Sequence, residues 1–151
     1  MAFGALEVKA LREKTGAGIM DCKKALADAD GEMEKAADLL RERGVAKADK
    51  KASRIAAEGI VACYIDGNKG VLVEVNCESD FVAKNPQFSE IAEVVAKTVI
   101  ANKPADVDAL LACQTAEGTV EEYLKSKIAV IGEKIAIRRY AAYERSEEAH
   151  V

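Results

Sequence analysis

The residues from Gly70 to Ala83 leave a chain like this few choices. Val71, Val73, Val75 and Cys77 alternate with Leu72, Glu74 and Asn76, the period-two signature of a strand with one buried face. The alternation breaks at Glu78-Ser79-Asp80, and a bulky apolar residue, Phe81, follows the acidic turn directly. Lys84-Asn85-Pro86 comes next, with Asn85 placed as a helix N-cap and Pro86 as the first helical residue. Asp80-Phe81 therefore sits in or beside a short link between a strand end and a helix start. Such junctions present side chains outward from a rigid scaffold, where binding groups concentrate.

The rest of the chain must supply what that strand packs against. With 151 residues, half of them hydrophobic and a third charged, it has the composition of an ordinary globular protein. That length supports one good core or two modest ones. No window approaches the roughly 18 consecutive apolar residues of a membrane span, and the N-terminus has no signal-peptide pattern. The expected compartment is the cytoplasm, with no membrane association. Cys22, Cys63, Cys77 and Cys113 are too far apart for a CxxC motif, and the only histidine, His150, has no ligand partner nearby. Small buried thiols are the expected reading, and neither metal nor cofactor is expected. Net charge is −4; residues 1–55 carry 12 basic against 10 acidic groups and residues 56–151 carry 10 against 16. Neither portion has the positive field of a nucleic-acid binder, so such a partner is disfavoured.

Three short helices are expected at the start. Residues 5–14 place Val8 and Leu11 three apart, and Thr15-Gly16-Ala17-Gly18 ends that run. Ile19, Cys22 and Leu26 line a second helix to about Ala29, stopped by Asp30-Gly31. Met33, Ala36, Ala37 and Leu40 form the stripe of a third, with Gly44 expected just past its end. This is a three-helix module over residues 1–45, too small for an enzyme. Residues 46–56, rich in Ala and Lys, read as a helical or flexible linker. Its Lys47, Lys50, Lys51 and Arg54 form a solvated basic face that could also meet RNA or an acidic surface.

The second unit, residues 57–151, opens with a hairpin: two β-rich runs, 59–65 and 71–77, joined by five residues, 66–70, that contain Asp66-Gly67. Phe88, Ile91, Ala92, Val95 and Val99 mark a helix from Pro86 to about Ala101. A short helix follows over 106–113. Thr119-Val120-Glu121-Glu122 is a capping box that starts another helix, ended by Gly132. Residues 135–144 return to β character. The order β-β-α-α-α-β implies an α+β fold, a small antiparallel three-stranded sheet packed with helices.

No catalytic constellation accompanies this fold. Gly16-Ala17-Gly18 lacks the spacing of a phosphate loop. Glu74, Glu78 and Asp80 are an acidic cluster without a histidine. Arg138 and Arg139, adjacent on a strand, should point to opposite faces, so that only one could pair with that cluster. The chain is not expected to be an enzyme. An arbitrary Phe is most often a core residue, but Phe81 has turn flanks and charged neighbours. Exposed on a rigid turn, it has the form of a binding hot spot. The residues by themselves reach a two-module binding protein.

At these positions the chain resembles the translation elongation factor Ts family. Val8–Leu26 is similar to the family's N-terminal signature almost throughout. Glu74–Ala83 resembles its second signature, with Ser79 where Thr is common, a change that keeps the hydroxyl. Ala57-Glu58-Gly59 and Lys127–Arg139 are also similar, so the resemblance spans essentially the whole chain. It implies a ubiquitin-associated-like three-helix domain, a linker and the first half of the family's core. The implied function is guanine nucleotide exchange on elongation factor Tu, met in its GDP-bound and nucleotide-free states, without covalent chemistry. Phe81, with Asp80 beside it and Val82 following, would wedge between helices of the GTPase and disturb its Mg²⁺ site and phosphate loop. Leu11, Ile19 and Met20 would dock the N-terminal module on another helix of the same GTPase. Family members usually continue into a second core half, so a fragment or shortened form is expected, with its oligomeric state open. The alternative from another class is an RNA- or ribosome-associated adaptor using the segment from Lys47 to Arg54.

Overall fold

The computed structural model describes residues 3–146, which divide into two compact units. The first unit takes the chain up to Ala52 together with Lys125–Gly132; the second takes Ser53–Leu124 and the chain from Glu133 onward.

The first unit contains α1 (Ala5–Thr15), α2 (Ile19–Asp28) and α3 (Met33–Lys51). The Gly4 N–H donates to the Glu7 carboxylate (2.9 Å), which places an anion at the positive end of α1. Val8 and Leu11 of α1, Cys22, Ala25 and Leu26 of α2, and Ala36 and Leu40 of α3 share one core with Ala29; Phe3, Ala17, Met33, Ala37 and Leu39 pack at its margin. The small residues among them let short helices approach closely. The third helix runs further than expected. Gly44 was to end it; instead the helix passes through Gly44 and continues to Lys51. A Cβ at Gly44 would lie only 3.2 Å from the Ala129 Cβ, so the glycine provides room for a neighbouring backbone and stops nothing. Beyond it, the Ala- and Lys-rich residues are good helix formers.

The second unit is built on β1 (Glu58–Asp66), β2 (Lys69–Cys77) and β5 (Ala136–Glu144), an antiparallel sheet with β2 in the middle. The hairpin is tighter than expected: Asp66 pairs with Lys69, which leaves Gly67-Asn68 as the turn. After β2 come the single turn α4 (Asp80–Ala83), then α5 (Pro86–Asn102) and α6 (Val107–Leu111). Next are the two-residue strands β3 (Gln114–Thr115) and β4 (Gly118–Thr119), and α7 (Val120–Ile131). The Asn85 side chain caps α5 by accepting from the Gln87 N–H (2.9 Å), with Pro86 in the first turn. The Thr119 hydroxyl accepts from the Glu122 N–H (3.1 Å) while the Glu122 carboxylate accepts from the Thr119 N–H (2.9 Å), the reciprocal box read from the sequence.

The alternation in β2 has the expected outcome. Val71, Val73, Val75 and Cys77 are buried, as are Phe88, Ile91, Val95 and Val99 of α5, which packs against β1 and β2. Each such side chain contributes about 1.5–3 kcal/mol by leaving water. On the opposite face, Leu72 and the register neighbours Val61, Ile65 and Tyr143 are exposed. The fold is thus mixed: helices at the N-terminus, then a three-stranded antiparallel sheet packed with helices. No helix among the described residues is long and apolar enough to cross a membrane.

Candidate functional site

Where β2 ends, its backbone leaves the sheet and the turn that carries Phe81 begins. Ser79 is the N-cap of α4: its backbone is extended, and its hydroxyl accepts from the Val82 N–H (3.4 Å). The turn closes with the Ala83 N–H donating to the Ser79 carbonyl (3.2 Å) and the Lys84 N–H to the Asp80 carbonyl (3.1 Å). Ala83 is buried and anchors the turn from beneath. The Cys77 thiol donates to the Ser79 carbonyl (3.2 Å). Burial and then the Glu133 carboxylate push that thiol's pKa up, so it stays a protonated donor.

A second group of contacts holds the turn from outside. Glu133, in the segment between α7 and β5, accepts from the Ser79 hydroxyl (2.6 Å), the Ser79 N–H (3.0 Å) and the Glu78 N–H (3.2 Å). In return the Glu78 carboxylate accepts from the Lys134 N–H (2.7 Å) and lies 3.4 Å from the Arg54 guanidinium. Nothing in the sequence pattern placed Glu133 here. It lies two residues past the end of α7 and belongs to no periodic run, and its partners lie more than fifty residues earlier.

On this support, Phe81 is 83% exposed. The core reading of this residue is excluded, because the turn directs the ring into solvent and buries Ala83 instead. Asp80 is exposed and pairs with Lys84 four residues on (3.2 Å), and Val82 is half-buried. In the three-helix unit, Ile19 and Met20 are 48% and 74% exposed at the start of α2. Leu11 is different: it is fully buried in that unit's core and can shape a docking surface only from beneath. Leu6, 80% exposed on α1, is a candidate contact that periodicity did not single out.

The acidic cluster resolves into separate ion pairs, and one expectation about it is corrected. Arg138 and Arg139 do not divide between faces; both guanidinium groups lie 3.5 Å from the same Glu74 carboxylate oxygen. The register explains this. Glu74 pairs with Arg139 but Val75 pairs with Ile137, so Arg138 is the extra residue of a β-bulge and turns toward its neighbour's side. Glu74, Glu78 and Asp80 thus face different cations. Among the described residues, no group of three or more His, Cys, Asp or Glu side chains is arranged to hold a metal ion.

The family model described as Elongation factor TS matches residues 78–151. Elongation factor Ts of Lactococcus lactis subsp. cremoris (strain MG1363) is 52% identical over 151 residues, covering 99% of this chain and 44% of the relative. Elongation factor Ts of Streptococcus suis (strain 98HAH33) is 54% identical over 141 residues, 93% of this chain and 41% of the relative. The chain therefore spans less than half the length of the curated relatives it matches. Over that span the chain is similar to elongation factor Ts, and the Glu78–Ala83 turn lies inside the residues that the family model matches.

Proposed function

We propose that this chain acts in translation elongation as a guanine nucleotide exchange factor for elongation factor Tu, with the Asp80-Phe81 turn as its working element. The observation that carries the reading is an aromatic ring, 83% exposed, on a one-turn helix braced from both sides, in a chain similar to elongation factor Ts. A rigid exposed aromatic is the form that binding anchors take, because little conformational freedom is lost when it is buried in a partner. Asp80 and Val82 flank the anchor, and Ile19 and Met20 provide apolar contact from the three-helix unit, with Leu11 supporting it from its core. The partition into a three-helix domain over 1–45, a linker over 46–56 and a core over 57–151 belongs to the same proposal, as does a cytoplasmic setting.

The mechanism requires no bond to be made or broken by this chain. A factor that binds the nucleotide-free GTPase more tightly than the GDP-bound form lowers GDP affinity, and GDP lowers affinity for the factor by the same ratio. The adaptor reading is less well supported, since two cations of its basic segment are engaged: Lys47 with Asp21 (2.9 Å) and Arg54 with Glu78 (3.4 Å).

The test is release of a fluorescent GDP analogue from elongation factor Tu, with this chain and with Phe81→Ala. Loss of an interface anchor costs about 2 kcal/mol or more, roughly a 30-fold loss of stimulation. The melting temperature should be unchanged, because the ring is in solvent. Equal stimulation by the two proteins would remove Phe81 from the mechanism. No stimulation by either, with RNA affinity that falls steeply with salt, would favour the adaptor.

A further inference from the structure

We propose that Glu133 is the positioning residue for the Phe81 turn, acting through Ser79 and the backbone of Glu78-Ser79. The inference rests on the reading that this turn engages the GTPase.

The geometry is specific. As β2 and β5 part beyond the Asn76–Ala136 pair, the N–H groups of Glu78 and Ser79 lose their strand partner. Both donate to one oxygen of Glu133, and the Ser79 hydroxyl donates to the other at 2.6 Å. Because that hydroxyl spends its hydrogen on Glu133, its lone pairs face the Val82 N–H, which is the bond that starts α4. Hydrogen bonds linked in this way polarise and strengthen one another. The Glu78 carboxylate completes the device by accepting from the Lys134 N–H at 2.7 Å. Segments 78–79 and 133–134 therefore exchange carboxylates, each held by the other's backbone. A four-residue helix has no stability of its own, so the direction of Phe81 depends on this exchange.

The residue at 133 must accept on both oxygens. Glutamine keeps one acceptor for the two N–H groups and can donate its amide to the Ser79 oxygen, which gives a graded variant. Alanine removes everything.

The experiment uses the full chain with Glu133→Ala, Glu133→Gln, Ser79→Ala and the Ser79→Ala/Glu133→Ala double variant. Amide hydrogen exchange by NMR and stimulated GDP release from elongation factor Tu are followed in parallel. In Glu133→Ala, the amides of Val82, Ala83 and Lys84 should exchange at least about tenfold faster while those of Val71, Val73 and Val75 keep their protection. GDP release should slow about tenfold, Glu133→Gln should fall between, and the double variant should be little worse than Glu133→Ala alone. Unchanged protection at Val82–Lys84 in Glu133→Ala would overturn the proposal. So would protection lost evenly across β2 and α5, which would make Glu133 a general stabiliser; should Glu133→Ala not fold, the same two outcomes are read on Glu133→Gln. If the unmodified chain stimulates no GDP release, the exchange reading fails, while the amide measurements still decide whether Glu133 holds the turn.

Discussion

Single residues set the limits of this structure in ways that composition does not show. Gly59 is one. It sits opposite Asn76 in the β1–β2 ladder at φ +154°, and a Cβ there would lie 2.2 Å from the Val75 carbonyl oxygen and 2.8 Å from the Asn76 Cα. Both atoms are backbone and cannot turn aside. Gly59→Ala should therefore destabilise the protein by about 3 kcal/mol, visible as a lower urea midpoint; a midpoint within error of the parent would mean that the ladder yields at this position. The cysteines separate just as sharply. Cys22 and Cys77 are fully buried, and burial raises both thiols, whereas Cys63 is exposed on β1. A thiol reagent at pH 8 should modify Cys63 within minutes and reach Cys22 and Cys77 only after denaturant is added. Mass spectrometry of the labelled peptides gives the order directly, and early label on Cys77 would show that the β2 end opens readily.

At the scale of elements, the Thr119–Glu122 box carries the start of α7. Thr119→Ala removes the side-chain acceptor for the Glu122 N–H and should cost about 1 kcal/mol in thermal or urea unfolding. A loss below a few tenths would show that packing of Val120 suffices. This box, the Asn85-Pro86 start of α5 and the buried face of β2 were all legible in the sequence, because each follows from neighbours within a few positions. The α4 turn and its exposed Phe81 were half legible: local flanks showed a junction, while the direction of the ring depends on Glu133, far away in the chain. The bulge at Arg138 was not legible. Strand alternation assigns Arg138 and Arg139 to opposite faces, and only the pairing with β2 shows that one residue is extra. The continuation of α3 past Gly44 was not legible for the same reason, since the glycine answers to Ala129 and not to its own helix.

For the whole molecule, the sign of the pH dependence follows from its buried acids. Cys22, Cys77 and Tyr140 have pKa values raised chiefly by burial, and Tyr123 is pushed up to about 12 by burial and then by Glu117 and Glu90. In the unfolded chain the thiols ionise near 9.0 and the phenols near 10.0, while the folded chain holds their protons. The unfolded state then binds fewer protons, so stability is full below about pH 9 and falls as pH rises above it. Melting temperatures from pH 7 to 11 should decline on the alkaline side, and the decline should shrink in Tyr123→Phe. The exchanged carboxylates of Glu78 and Glu133 also have a meaning in time. Asn76 meets Ala136 sixty positions later, and Ala83 is fifty residues ahead of Glu133. A β-hairpin closes in microseconds, yet at roughly 5–20 residues per second a ribosome needs on the order of 3–10 s to make those fifty residues. A nascent chain therefore carries β1, β2 and an unheld Phe81 for seconds, until the segment with Glu133 and β5 arrives.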